Sequence, residues 1–204
     1  GFILDDMELS GLGMLGNLFD LNQIEVFRGP MSSVFGTNSL AGLISLRSNN
    51  PGDTLRLKSL LSSGTDNYLS LGTMLNMPVN NKLQFRFSGS ILQSDGFRYN
   101  KFRESSDSNK KDEQFIRVKL NYEPLKNFKI LGTLIYAELD NGYDSWAPDN
   151  NTDYHTYSDD NGEDSQKTLG GSVRINLNSS NKYKVTSISC LLYTSDAADE
   201  HTGV

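Results

Sequence analysis

The residues best suited to chemistry lie between positions 140 and 166, where Tyr143, Trp146, Tyr154, His155 and Tyr157 stand among many Asp and Asn side chains. Aromatic rings offer flat apolar faces, and the amides and carboxylates between them accept or donate hydrogen bonds, so this stretch could hold a small ligand. The same composition suits a solvated loop whose rings pack on each other or anchor at a membrane interface. Residues 158–165 (SDDNGEDS) are oxygen-rich, as a calcium site is, but lack the alternating ligand spacing and terminal Glu of an EF-hand. No nucleophile has a plausible His base, no metal-ligand cluster occurs, and no glycine-rich loop sits in the strand–loop–helix context that cradles phosphate. An enzyme is therefore not expected, and no cofactor is implied. The net charge of −6, with no clustered basic surface, argues against a nucleic-acid partner.

The elements that would carry such a loop read as strands. No stretch approaches the roughly 18 to 20 apolar residues of a membrane helix. A β-barrel passes that test unseen, because its strands alternate lipid-facing and lumen-facing side chains. From position 53 onward the chain shows runs of period two. Leu83, Phe85, Phe87, Gly89 and Ile91 share one face, and Lys82, Gln84, Arg86, Ser88 and Ser90 the other. Ile116, Val118, Leu120 and Tyr122 oppose Arg117, Lys119 and Asn121, while Leu169, Val173, Ile175 and Leu177 oppose Ser172, Arg174 and Asn176. Further strands are expected at 54–63, 68–77, 128–138 and 182–189. Short turns at 79–81, 124–127 and 178–181 alternate with polar stretches at 64–67, 94–113 and 140–166, as outer-membrane barrels alternate periplasmic turns with longer external loops. A soluble β-sandwich is the structural runner-up.

Ahead of these runs, 24–27 alternates as a half-buried strand, Arg28, Gly29 and Pro30 break it, 31–35 could form one helical turn, and 42–46 resumes as a strand. Residues 23–30 (QIEVFRGP), then 33–36 (SVFG), then 41–46 (AGLISL), resemble in order and spacing the plug signature of TonB-dependent outer-membrane receptors: IEVxRGP, a small residue, YG, then GGxINI. Phe35 stands where Tyr is usual, Ala41 where Gly is common, and Leu43 and Ser45 replace the usual Val/Ile and Asn. Asp5-Asp6 is similar to the family's DG turn, with Asp6 in place of Gly, which requires that the turn tolerate a left-handed Asp.

The resemblance implies an all-β membrane-barrel fragment, about seven antiparallel strands of a 22-stranded barrel, preceded by the C-terminal part of a small α+β plug. It divides the chain into plug (1–52) and barrel strands (53–189), with any secretory signal upstream. Glu25, Arg28, Gly29, Pro30, Gly36 and Gly42 carry structural roles, and a Glu25–Arg28 ion pair would belong between plug and barrel. The function implied is energy-coupled uptake across the bacterial outer membrane of a scarce solute: a ferric siderophore or similar metal chelate, with haem, cobalamin and glycans as other solutes of the family. The partners implied are the lipid bilayer and the inner-membrane TonB complex, engaged through a part N-terminal to this chain. The alternative is a surface-exposed structural or adhesive β-protein with acidic loops.

Residues 190–200 (CLLYTSDAADE) resemble the forward translation of a transposon-based sequencing adapter, which makes 190–204 a non-native tail. Cys190, the chain's one cysteine, would go with it, leaving no thiol chemistry. So would His201, leaving His155 as the lone histidine, and a lone His builds no typical zinc site.

Overall fold

The computed structural model describes residues 1–9, 18–31, 39–144, 147, 149, 151–160, 162–179 and 183–196. Among these residues thirteen strands follow one another: β1 (Phe2–Leu4), β2 (Met7–Glu8), β3 (Leu21–Arg28), β4 (Gly42–Ser48), β5 (Arg56–Ser63), β6 (Leu69–Asn80), β7 (Leu83–Ser94), β8 (Tyr99–Asn100), β9 (Lys111–Leu125), β10 (Phe128–Gly142), β11 (His155–Thr156), β12 (Glu163–Ser179) and β13 (Tyr183–Asp196). Among the described residues there is no helix. Of the expected helical turn at 31–35, positions 32–35 lie outside them.

Seven strands form one antiparallel wall in the order β13-β12-β10-β9-β7-β6-β5. Period-two patterning dictates its two faces, because each register pair places side chains of one kind together. Leu75, Phe87, Val118, Leu134 and Gly171 line up across β6, β7, β9, β10 and β12 on the outer face. The adjacent inner row is Asn76, Arg86, Lys119, Thr133 and Ser172. Outward-facing Leu57, Phe87, Leu134, Leu169 and Val173 are exposed, whereas inward-facing Arg117, Lys119, Asn121 and Thr133 are buried. Apolar side chains outside and cations inside invert a soluble protein's arrangement and match a wall whose outer face meets lipid. Among the described residues no helix is long and apolar enough to cross a membrane, a test that does not bear on strands.

What buries the inner cations is a second sheet of order β2-β1-β4-β3, in which β1 runs parallel to β4. Its β1–β2 hairpin turns at Asp5 and Asp6, and the left-handed residue is Asp5 (φ 53°), not Asp6 as the DG likeness suggests. A shared apolar core joins the two sheets: Leu4, Met7, Leu9 and Leu46 pack on Phe115 of β9 and on Ile135 and Ala137 of β10. Gly72, on the inner face of β6, admits the ring of Phe19, since a Cβ there would lie 2.8 Å from Cδ2 of that ring.

The last strand was expected to end at 189 but runs to Asp196, with Cys190 opposite Ser172 and Tyr193 opposite Leu169. Its partner β12 extends to Glu163. Edge pairing uses backbone groups, so a segment with little side-chain complementarity can still be laid along it.

Candidate functional site

The signature residues sit on and around β3 and β4. Glu25 pairs with Arg47 at 3.4 Å and accepts a hydrogen bond from the Gln23 amide at 3.0 Å, which corrects the expected Glu25–Arg28 pair. The reason is the pleat. Positions three apart on a strand face opposite sides, whereas Gln23 is opposite Arg47 and Glu25 opposite Ser45, so Glu25 and Arg47 are diagonal neighbours on one face. Arg28 is exposed at the end of β3, and Gly29 (φ 88°) and Pro30 turn the chain away. The Met31 amide then donates to the Ser39 carbonyl at 2.9 Å, bringing the chain back toward β4. Gly42 has φ 145°, and a Cβ there would lie 2.7 Å from the Phe27 carbonyl oxygen, so glycine is required. Gly36 lies outside the described residues.

Three carboxylates of the smaller sheet meet four cations of the wall. Asp20, itself left-handed (φ 60°), accepts two bonds from the Arg86 guanidinium on β7, the Nε contact at 2.8 Å, and its carbonyl and that of Phe19 accept Nη2 of Arg117 at 3.1 and 3.0 Å. Asp5 accepts the Ser48 amide and hydroxyl and lies 3.4 Å from Nζ of Lys119, which also donates to the Ser48 hydroxyl at 2.8 Å. Asp6 accepts from Nε of Arg174 on β12 at 3.0 Å and from its Nη2. Arg117 and Lys119 are buried, so each is a charge held out of water that carboxylates and carbonyls must satisfy. The interface is thus an apolar patch bordered by charge-assisted hydrogen bonds.

At one end of the wall the two long loops are joined. β8 pairs in parallel with β11, Tyr99 beside His155 and Asn100 beside Thr156. The Tyr99 amide donates to the Tyr154 carbonyl at 3.0 Å and the Lys101 amide to the Thr156 carbonyl at 2.9 Å. Rings from the two loops meet edge to face: Phe97 with Tyr154 at 5.7 Å between centroids and Tyr99 with His155 at 6.2 Å. Lys101 lies 5.7 Å from the Tyr157 ring centre. Of the expected ligand-contact residues, Tyr154, His155 and Tyr157 therefore form one cluster with partners from the other loop. Tyr143 is exposed at its base, where its amide donates to the Gly162 carbonyl, and Trp146 lies outside the described residues. The Asn151 amide, 2.7 Å from Asp149, holds that carboxyl below its usual range, with the Tyr157 hydroxyl also donating to it. Among the described residues of the oxygen-rich stretch, no three carboxylates converge as metal ligands.

No family model matches the chain. Among characterised proteins, the vitamin B12 transporter BtuB of Vibrio vulnificus (strain YJ016) is 26% identical over 145 residues, which cover 68% of this chain and 23% of BtuB. Among solved structures, the siderophore receptor PiuA from Acinetobacter baumannii superposes with a TM-score of 0.73 at 16% identity, over 88% of this chain and 27% of PiuA. The ferric-catecholate import receptor Fiu from E. coli K12 gives 0.74 at 13% identity, over 95% and 31%. The chain folds as a section of a TonB-dependent outer-membrane receptor.

The chain spans 23% of the length of BtuB, and among the described residues the seven-stranded wall has free edges at β5 and β13. Sequence reasoning read Asp5 only as a turn residue and missed Asp20, Asn100 and Asp144; each acts through a partner far along the chain. A signal for the first two was present: four cations on the polar faces of strands otherwise built for lipid require counter-charges inside the barrel.

Proposed function

We propose that the chain is the C-terminal part of the plug (1–52) and the first strands (53–189) of a receptor that carries a ferric siderophore or similar metal chelate across the outer membrane. The observation that carries this reading is the seating of the smaller sheet on the wall by Asp5, Asp6 and Asp20 against Arg86, Arg117, Lys119 and Arg174. A barrel too wide for its own side chains to fill needs such an insert, and this one is held by an apolar patch with charge-assisted hydrogen bonds around it. Energy for displacement comes from the inner-membrane TonB complex, acting on the plug from a part N-terminal to this chain. The solute is taken first by the joined loops, where Tyr143, Trp146, Tyr154, His155 and Tyr157 supply faces for stacking and Arg98 and Lys101 supply positive charge. PiuA is a siderophore receptor and Fiu a ferric-catecholate importer, which supports this class of cargo.

The test is uptake of radiolabelled ferric tris-catecholate by cells whose own catecholate receptors are deleted and which express the full-length parent. Uptake that disappears when TonB is deleted is the expected result; no chelate uptake, or uptake indifferent to TonB, overturns the reading. Arg28→Ala in the same cells is expected to impair uptake or plug seating. Residues 190–204 are proposed to be adapter-derived, and the parent's genomic DNA should diverge from this chain near Cys190, then encode roughly fifteen further strands. A stop codon shortly after Ser189 would contradict the receptor reading.

A further inference from the structure

We infer that Asp144 is a positioning residue: its buried carboxylate locks the β7–β9 loop to the β10–β12 loop, so that the outward-facing rings of both are presented as one surface. Asp144 follows β10 by two residues and is buried. Its Oδ2 accepts the Asn100 side-chain amide at 2.9 Å and the Thr156 hydroxyl at 2.6 Å, one donor from each short strand. Asn100 and Thr156 are fully buried. Asn100 also gives its amide to the Ser158 carbonyl and receives the Phe102 and Arg103 amides on its own oxygen, so its hydrogen-bonding capacity is filled.

Strand alternation then fixes what points outward. With Asn100 turned in toward Asp144, its neighbours Tyr99 and Lys101 turn out; with Thr156 turned in, His155 and Tyr157 turn out. The outward residues are the pairs that meet, Tyr99 with His155 and Lys101 with Tyr157. One carboxylate therefore sets the relative position of two aromatic contacts drawn from positions 56 residues apart in sequence, as the pairing of Tyr99 with His155 and of Asn100 with Thr156 shows. A buried acceptor shared by two donors is costly to remove, because both are left unsatisfied.

The inference rests on the proposed role of these loops in solute capture, and its test separates the two. In the purified full-length receptor, amide exchange at Tyr99 and Lys101 and the affinity for ferric tris-catecholate are measured for Asp144→Ala, Asp144→Asn and, as a loop control, Asp159→Ala. Asp144→Ala should speed exchange at both amides, which donate across to the other loop, and weaken binding about tenfold or more, while Asp144→Asn, which keeps one carbonyl able to accept both donors, should restore most of each. Asp159→Ala should change neither. Unchanged exchange at Tyr99 and Lys101 in Asp144→Ala overturns the lock, and faster exchange with unaltered affinity overturns the positioning role. If the unsubstituted receptor does not bind the chelate, the cargo assignment fails while the exchange result still decides whether Asp144 couples the loops.

Discussion

Asp20 and Arg86 meet across 66 residues of sequence, Nε of the arginine lying 2.8 Å from Oδ2 of the aspartate. Both side chains are largely shielded, at 5% and 11% exposure. Asp20 precedes β3, where Asn49 after β4 also grips it, so the contact ties the base of the smaller sheet to the inner face of the wall. Desolvation offsets much of the Coulombic attraction in such a pair, yet removing one partner strands the other.

Asp20→Ala in the full-length receptor should accordingly cost about 3–5 kcal/mol of plug seating, because Arg86 loses the carboxylate that accepts two of its hydrogen bonds, while Arg117 keeps its backbone carbonyl acceptors. The measurement is the free energy of opening from amide exchange in residues 21–28 and 42–48. A double-mutant cycle with Arg86→Ala should give a coupling of roughly 0.5–3 kcal/mol. Additive effects would mean that the two residues do not act as a pair.

The Asp6–Arg174 contact should matter less. Arg174 is 37% exposed, where water screens the interaction. Arg174→Ala should cost about 1 kcal/mol or less, falling further as salt is raised. A loss equal to that of Asp20→Ala would reverse the proposed ranking of the contacts.

Gly42→Ala should destabilise the β3–β4 pair by about 1–3 kcal/mol, since its φ and the Phe27 carbonyl both exclude a side chain. Gly89→Ala on β7 is the comparison: a Cβ there would meet its nearest neighbour, Phe87, at an ordinary 3.5 Å. Chemical denaturation of both variants decides this, and equal midpoints would contradict the strain argument.

The lipid face can be tested at Leu134, 60% exposed near the centre of β10. Leu134→Arg should cost about 2–4 kcal/mol in refolding into lipid vesicles, the penalty for a cation near the bilayer midplane. Unaltered folding would place this face in water.

Local pattern made the wall readable, and distance along the chain hid the rest. The expected 82–92, 128–138 and 68–77 runs became β7, β10 and β6, and the two faces anticipated for 82–92 are those of β7, since the period-two signal depends only on neighbouring residues. The strands run several residues past the expected ends because polar residues that look like loop, such as Glu163 to Lys167, continue the ladder beyond the apolar band. Glu25 shows the opposite limit: choosing between Arg28 and Arg47 requires the β3–β4 register, which lies outside any single window. The pairing of β8 with β11 was equally illegible, because two-residue strands carry no periodicity and their shared acceptor, Asp144, belongs to neither.

The most direct test of the central claim, that the smaller sheet is a plug seated on this wall, is cross-linking of the full-length receptor in outer membranes. With Phe19→Cys and Lys58→Cys introduced together, a pair across the interface (the Lys58 Nζ lies 6.0 Å from the Phe19 ring centre) that leaves the carboxylate–cation contacts intact, a short bismaleimide should join the two cysteines in high yield, and Phe19→Cys paired with Leu134→Cys on the outer face should give none. Equal yields for both pairs, or no product for the first, would contradict the account.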